Sequence, residues 1–360
     1  MQANRKVRHM YIPNSLERGS KAAVVSLSSG MLGDDFCKHT LDIGTKRMRE
    51  TGLEPVFMEN ALKGSAYVSA HPEKRAQDLK AAFLDDSISA IITAIGGDDT
   101  FRTLPYLMED DEFIRAVQSH PKIFTGFSDT TTNHLMLYKL GLQTYYGPCF
   151  ICDFGELAND MLHYTKSTFM NFFKPVKEWE IRPSEYWYEE RSDFSASAIG
   201  TDRVSHRETH GFELLQGSPV FGGKLLGGCL DSLSDMLTGD RHPEEKDIIR
   251  RYGIFPTAEE WQGKVLFIET SEEQPTPVQY RHYLEALKAE GVFGAVNGII
   301  CGKPMDEVYY EEYKDILCET VDNKSLPILY NVNFGHAVPR TVLPYGAECS
   351  VDADSQTIKF

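Results

Sequence analysis

Between residues 22 and 148, apolar runs suited to strands alternate three times with segments of helical spacing. "AAVVSLSS" (22–29) reads as a strand and its exit loop, and "HTLDIGTKRMRETGLEPVFM" (39–58) as an amphipathic helix closed by Gly52 and a second strand. A helix from about Pro72 to Leu84, a strand at 90–95 and the turn "IGGDDT" come next, and "DEFIRAVQSHPKIFTGFSDTTTNHLMLYKLGLQTYYGP" (111–148) repeats the plan. This alternation leaves few architectures. Parallel strands need crossover connections, which cover the sheet with helices on both faces and run right-handed.

The rhythm stops after about residue 155. Residues 176–220 are rich in charge and aromatics and carry no period, so they read as a linker or extended loop able to cover a site. "VFGGKLLGGCLDSLSDML" (220–237) opens a second domain, followed by a strand "GKVLFIET" (263–270), a helix "PVQYRHYLEALKAEGVF" (277–293), a strand "VNGIICG" (296–302) and short strand-like pieces to the C-terminus. The expected fold is therefore α/β, with a parallel-sheet N-terminal domain of the flavodoxin or Rossmann kind over residues 1–170. A linker and substrate loop spans 171–215, and a smaller C-terminal α/β domain with β-barrel-like character spans 216–360.

A chain of 360 residues is long enough for two cores. Its formal net charge of −16 disfavours nucleic acid and anionic membranes as partners, since both reward Lys and Arg. The apolar runs are shorter than a membrane span, and no apolar signal core follows the basic "MQANRKVRHMYIPNSLERGSK", so a cytoplasmic protein is expected. Seven scattered cysteines do not form a disulfide framework. Cys149 and Cys152 make a single C-x-x-C with no second pair and no nearby His, so buried structural thiols are expected there rather than a zinc or redox centre.

"G-F-S-D-T" places Ser128 where the strand meets the next helix, two residues after Gly126. A serine hydroxyl becomes a nucleophile when a base takes its proton and a sharp turn presents it, with the following helix aiming N–H groups at the developing oxyanion. Thr130 stands where G-x-S-x-G has its trailing glycine, and either Ser128 or Asp129 could simply cap the helix. His336, in "LYNVNFGHAVPRTVLP", follows a strand-like run and a glycine. Glu269 ends an apolar strand, where a charge is costly without a partner. Glu272 and Glu273 lie just beyond and read as solvated. The order Ser128, Glu269, His336 is one of the known triad orders, and the scattered Asp, Glu and His show no metal-ligand spacing.

"IGGDDTFRTLPYL", "GFSDTT", "GGCLDSL", "VLFIET" and "NVNFGHAVPRTVLPYG" occur in that order and together resemble the LD-carboxypeptidase family of serine peptidases, over roughly residues 20–352. That family includes murein tetrapeptide carboxypeptidases and microcin C immunity peptidases. The resemblance implies a Ser128–His336–Glu269 triad divided between two domains. It implies an oxyanion hole from the N–H groups of Gly97 and Asp129, a substrate-lining turn at Gly96, no cofactor or metal, and a homodimer. "RPSEYWYEERSDF" resembles the longer loop of the immunity branch, which makes Trp187 a candidate to stack on a leaving nucleotide. The implied partner is a peptidyl or aminoacyl nucleotide; the alternative is a murein tetrapeptide that loses its terminal D-alanine. Two other classes compete. "IGGDDT" resembles the G-G-D-G-T phosphate loop of NAD and lipid kinases, except that Asp99 stands at the third glycine. A binding module without catalysis would not need Ser128, Glu269 and His336 intact.

Overall fold

In the computed structural model, which describes residues 10–360, the alternating segments form a six-stranded sheet; residues 1–9 of the basic N-terminal stretch lie outside the described residues. From edge to edge the strands are Leu343–Tyr345, Thr144–Tyr146, Ile123–Gly126, Ile88–Thr93, Lys21–Val25 and Glu54–Phe57. The last five are parallel and follow the flavodoxin-type order, whereas Leu343–Tyr345 runs antiparallel to Thr144–Tyr146. Their sequences are nearly all apolar because both faces are covered. Ala22, Val24, Ala90 and Ile92 enter one core cluster, while Ala23, Val25 and Ile91 enter the other, as a two-residue repeat requires.

The covering helices start and stop for local reasons. Pro72–Leu84 carries proline at its first position. Asp110 caps Asp111–Ser119 by accepting from the N–H groups of Glu112 (2.9 Å) and Phe113 (3.0 Å). In the C-terminal lobe, Thr276 and Gln279 form a capping box ahead of Pro277–Ala289.

The second sheet has eight strands, in the order Glu180–Ile181, Thr357–Lys359, Glu348–Asp352, Val220–Cys229, Lys264–Glu269, Gly298–Gly302, Ile328–Val332 and Glu213–Gln216. The run from Val220–Cys229 to Ile328–Val332 is parallel, with antiparallel strands outside it. The mixed α/β class is as expected. The β-barrel-like character resolves into an open sheet, whose first and last strands do not pair with each other, and this sheet is the larger of the two. The two lobes share one core cluster, in which Phe124 and Leu135 join Leu225 and Phe267. The segment from 176 to 215 is tied down. Buried Glu156 accepts from Arg191 (2.6 Å) and Arg203 (2.7 Å), and Tyr186–Tyr188 pairs with Ser205–Arg207 as a hairpin. Among the described residues no helix is long and apolar enough to cross a membrane.

Candidate active site

The C-terminal ends of Ile88–Thr93 and Ile123–Gly126 meet the C-terminal ends of Val220–Cys229 and Lys264–Glu269 at the seam of the lobes. Thr131 joins the two sides there: its hydroxyl donates to the Ser128 carbonyl (2.7 Å) and accepts from the Cys229 N–H (3.0 Å).

Ser128 occupies the corner between strand Ile123–Gly126 and helix Thr130–Lys139 with φ of 66°, a left-handed conformation that costs a non-glycine residue roughly 1–3 kcal/mol. The neighbours must be small. A Cβ on Gly96 would lie 2.8 Å from the Ser128 Cβ and 3.0 Å from its Oγ, and one on Gly126 would overlap the Thr93 hydroxyl. Neither Ser128 nor Asp129 caps the helix through its side chain. Among the described residues the Ser128 hydroxyl makes no hydrogen bond, and the N–H groups of Gly97 and Asp129 donate to no other group.

The Asp129 carboxylate turns away, accepting from the Thr100 N–H at 2.9 Å, and burial raises its pKa to about 6. Asp99 is held by Arg75 at 2.6 and 3.1 Å. Its carboxylate also accepts from the Ser28 hydroxyl (3.2 Å), and it stands in place of the glycine that a phosphate loop would need.

Ser128 is linked to the other two candidates through Tyr146, which the sequence reading did not single out. The Ser128 N–H donates to the Tyr146 hydroxyl (3.1 Å), which donates to Glu269 Oε1 (2.6 Å). Glu269 Oε2 accepts from His336 twice, from the backbone N–H (3.0 Å) and from Nδ1 (2.8 Å). A glutamate at the end of an apolar strand thus has all its partners, which is what its burial demands. The Phe127 ring stands edge-on to His336, with centroids 4.9 Å apart. Arg340 lies over the other partner of this contact. Its guanidinium carbon is 4.4 Å from the Phe127 centroid, Nε donates to the Gly335 carbonyl (2.6 Å) and Nη1 pairs with Asp153 (2.8 Å).

Glu272 is exposed, as expected of a solvated residue, yet its carboxylate folds back to within 2.9 Å of His336 Nε2. Burial alone would depress the imidazole. Glu269 and Glu272 on its two nitrogens overcome that and raise its pKa to about 10, while the bond from His336 lowers Glu272 to about 2. Cys229, Glu269 and His336 also bring potential ligand atoms within 4.8 Å of one another. Their wide separation in sequence hid this grouping.

Trp187 stands on the Tyr186–Tyr188 strand, away from these contacts. Its indole stacks on His206 (centroids 4.2 Å apart, planes at 19°), and the Lys303 ammonium is 5.2 Å from the ring centroid. The Tyr188 N–H donates to the Val338 carbonyl (2.8 Å), which attaches the hairpin to the segment carrying His336.

Residues 22–147 match the family model of the LD-carboxypeptidase N-terminal domain, and residues 222–351 match that of the LD-carboxypeptidase C-terminal domain. A crystal structure of an MccF-like protein from Streptococcus pneumoniae in complex with AMP superposes with a TM-score of 0.92 at 48% identity, covering 95% of this chain and 98% of that one. The microcin C7 self-immunity protein MccF of Escherichia coli is 27% identical over 325 residues, 88% of this chain and 86% of that protein. A structure of MccF in complex with aspartyl sulfamoyl adenosine superposes with a TM-score of 0.82 at 25% identity, covering 97% and 98% of the two chains. A probable murein peptide carboxypeptidase of Bacillus subtilis is 28% identical over 354 residues, 96% of this chain and 93% of that one.

Proposed function

The chain belongs to the LD-carboxypeptidase family, as a hydrolase of the serine carboxypeptidase type, and from that premise we propose that Ser128, His336 and Glu269 cleave the amide link between an aminoacyl or peptidyl group and a nucleotide. The observation that carries this reading is the strained Ser128 corner, joined through Tyr146 to the Glu269–His336 pair.

Substrate draws the imidazole Nε2 away from Glu272 and onto the Ser128 hydroxyl. His336 takes that proton as Oγ attacks the carbonyl carbon, and Glu269 fixes the imidazole by its bond to Nδ1 and stabilises the cation that forms. The oxyanion lies between the N–H groups of Gly97 and Asp129, with Gly96 forming the wall; each donor is worth roughly 3 kcal/mol in the transition state. His336 returns the proton to the leaving group, and water then hydrolyses the acyl-enzyme by the same route.

The nucleotide half of the reading rests on relatives solved with AMP and with aspartyl sulfamoyl adenosine. In this reading Trp187 offers its ring to the base, taking the place of His206. Removal of D-alanine from a tetrapeptide is the second reading, supported by the relative named as a murein peptide carboxypeptidase. The reading includes a cytoplasmic homodimer, which sedimentation of the purified chain checks.

Ser128→Ala is expected to lower kcat for an aminoacyl sulfamoyl adenosine at least about 10⁴-fold, with circular dichroism and Tm unchanged. Turnover retained by a folded S128A protein removes Ser128 from the mechanism. Release of D-alanine from a murein tetrapeptide, with no action on the nucleotide, selects the second reading.

A further inference from the structure

The segment "GGCLDSL" ends the strand Val220–Cys229 in the C-terminal lobe, and its backbone is shaped to receive one residue of the other lobe. Gly228 has φ of 143°, and a Cβ there would lie 2.4 Å from Thr131 Cγ2 and 2.5 Å from its hydroxyl oxygen. Glycine at this position lets the strand end reach the first turn of helix Thr130–Lys139. Cys229 follows, and in the parallel pairing of the two strands it stands opposite Glu269.

Thr131 is fully buried, and its hydroxyl both donates and accepts. It donates to the Ser128 carbonyl at 2.7 Å, which also receives the Thr131 N–H at 2.9 Å. A threonine hydroxyl bonded to the carbonyl three residues back is ordinary in helical turns, and Thr103 and Thr168 do the same. Thr131 differs from those two in what it accepts: the Cys229 N–H, at 3.0 Å, from the neighbouring lobe. Ser128 is thus tied to the strand pair of Glu269 from both of its backbone groups. Its N–H reaches the Glu269 carboxylate through Tyr146, and its carbonyl reaches Cys229, the strand partner of Glu269, through Thr131. A left-handed corner at a non-glycine residue persists only where its surroundings hold it.

We infer that Thr131 is a positioning residue for the hydrolysis: its hydroxyl, seated on Gly228-Cys229, sets the Ser128 corner against Glu269 and so against the imidazole that Glu269 holds. The inference rests on the reading of Ser128 as the nucleophile. Thr131 itself is closed off from substrate, so it acts on rate through alignment, where an error of about 1 Å can cost about 100-fold.

Two variants separate the hydroxyl from the shape of the side chain. Thr131→Val keeps the shape and removes the hydroxyl, and Thr131→Ser keeps the hydroxyl and removes a methyl group. Each is measured for kcat and KM with an aminoacyl sulfamoyl adenosine, for the rate at which a fluorophosphonate labels Ser128, and for Tm. T131V is expected to lower kcat and the labelling rate at least about 30-fold with KM within about twofold, and T131S to stay within about threefold of the wild type in all of them. Thr131→Ala, which also lacks the hydroxyl, takes the place of T131V if that protein melts below the assay temperature. A folded T131V with kcat within threefold of the wild type overturns the inference. So does a T131S protein as slow as T131V, which assigns the effect to packing of the methyl group, and so does a T131V protein that is slow in turnover but labelled at the wild-type rate. Turnover lost in S128A but kept in T131V removes the inference and leaves the nucleophile reading in place. Turnover kept in S128A removes both.

Discussion

At the scale of single residues, the resting site is held in a state that has to be undone before chemistry. His336 is raised to about 10 because burial is outweighed by a carboxylate on each nitrogen. A general base works only when neutral, so the free enzyme gains activity as pH rises towards that value. The acid limb of kcat/KM is therefore expected well above the usual histidine range of about 6.5. Glu272→Gln removes one of the two carboxylates, and should move that limb down by at least about one unit and raise kcat/KM at pH 7 about tenfold. A limb near the ordinary histidine value in both proteins means that Glu272 does not engage the imidazole in solution. Tyr146 makes the second test. Tyr146→Phe leaves the Ser128 N–H and Glu269 Oε1 each short of a partner, at a cost of about 1–3 kcal/mol per buried group. Urea denaturation should register that loss. The drop in kcat, about tenfold if the 66° corner depends on the bond, separates support of Ser128 from support of the fold alone. The roles of both residues escaped the sequence reading for physical reasons. Glu272 is exposed as expected, and only the fold-back of its chain carries it to His336. Tyr146 closes an apolar strand, and a hydroxyl at a strand end reveals its partner only when Lys264–Glu269 of the other sheet is beside it.

At the scale of elements, the segment carrying His336 is fastened to the segment carrying Ser128 by Arg340. One guanidinium holds the carbonyl before His336 and covers the ring before Ser128, with Asp153 as its counter-charge. Arg340→Met is expected to cost about 3–5 kcal/mol, because Asp153 is then buried without its partner. The double variant R340M/D153N should recover much of that stability in denaturant titrations while kcat stays low and KM changes little, since the imbalance of charge is cured but the alignment is not. Recovery of kcat with stability reduces Arg340 to a scaffold residue. The elements themselves were largely legible. Strands buried on both faces announce themselves as apolar runs, and Pro72–Leu84 matches its expected limits. The 22–29 run divides, as expected, into the strand Lys21–Val25 and an exit loop in which Ser26, Leu27 and Ser28 stay buried. What could not be read was pairing across great separations. Leu343–Tyr345 completes the first sheet beside Thr144–Tyr146, and nothing local in three residues specifies a partner about two hundred positions away.

At the scale of the whole molecule, charge and architecture act together. The chain carries −16, and seven acidic residues border the cleft at the seam of the two sheets. A cleft lined by one sign of charge, with low-dielectric walls, concentrates field lines and raises the encounter rate of ligands of opposite sign. Salt shortens the reach of that field, from about 30 Å at 0.01 M to about 8 Å at 0.15 M ionic strength. For lysyl sulfamoyl adenosine kcat/KM should therefore fall several-fold over that range, the value for the norleucyl analogue, whose side chain is uncharged, should stay nearly flat, and any weak turnover of the aspartyl analogue should rise. Sodium and potassium chloride must act alike, since the effect belongs to ionic strength and not to an ion bound in the cleft. A parallel fall for lysyl and norleucyl compounds would trace the salt effect to the overall charge acting on the shared α-ammonium, leaving the cleft without the directional field that its seven acids should generate. A fall confined to the lysyl compound would tie the long-range attraction to the acidic residues of the seam.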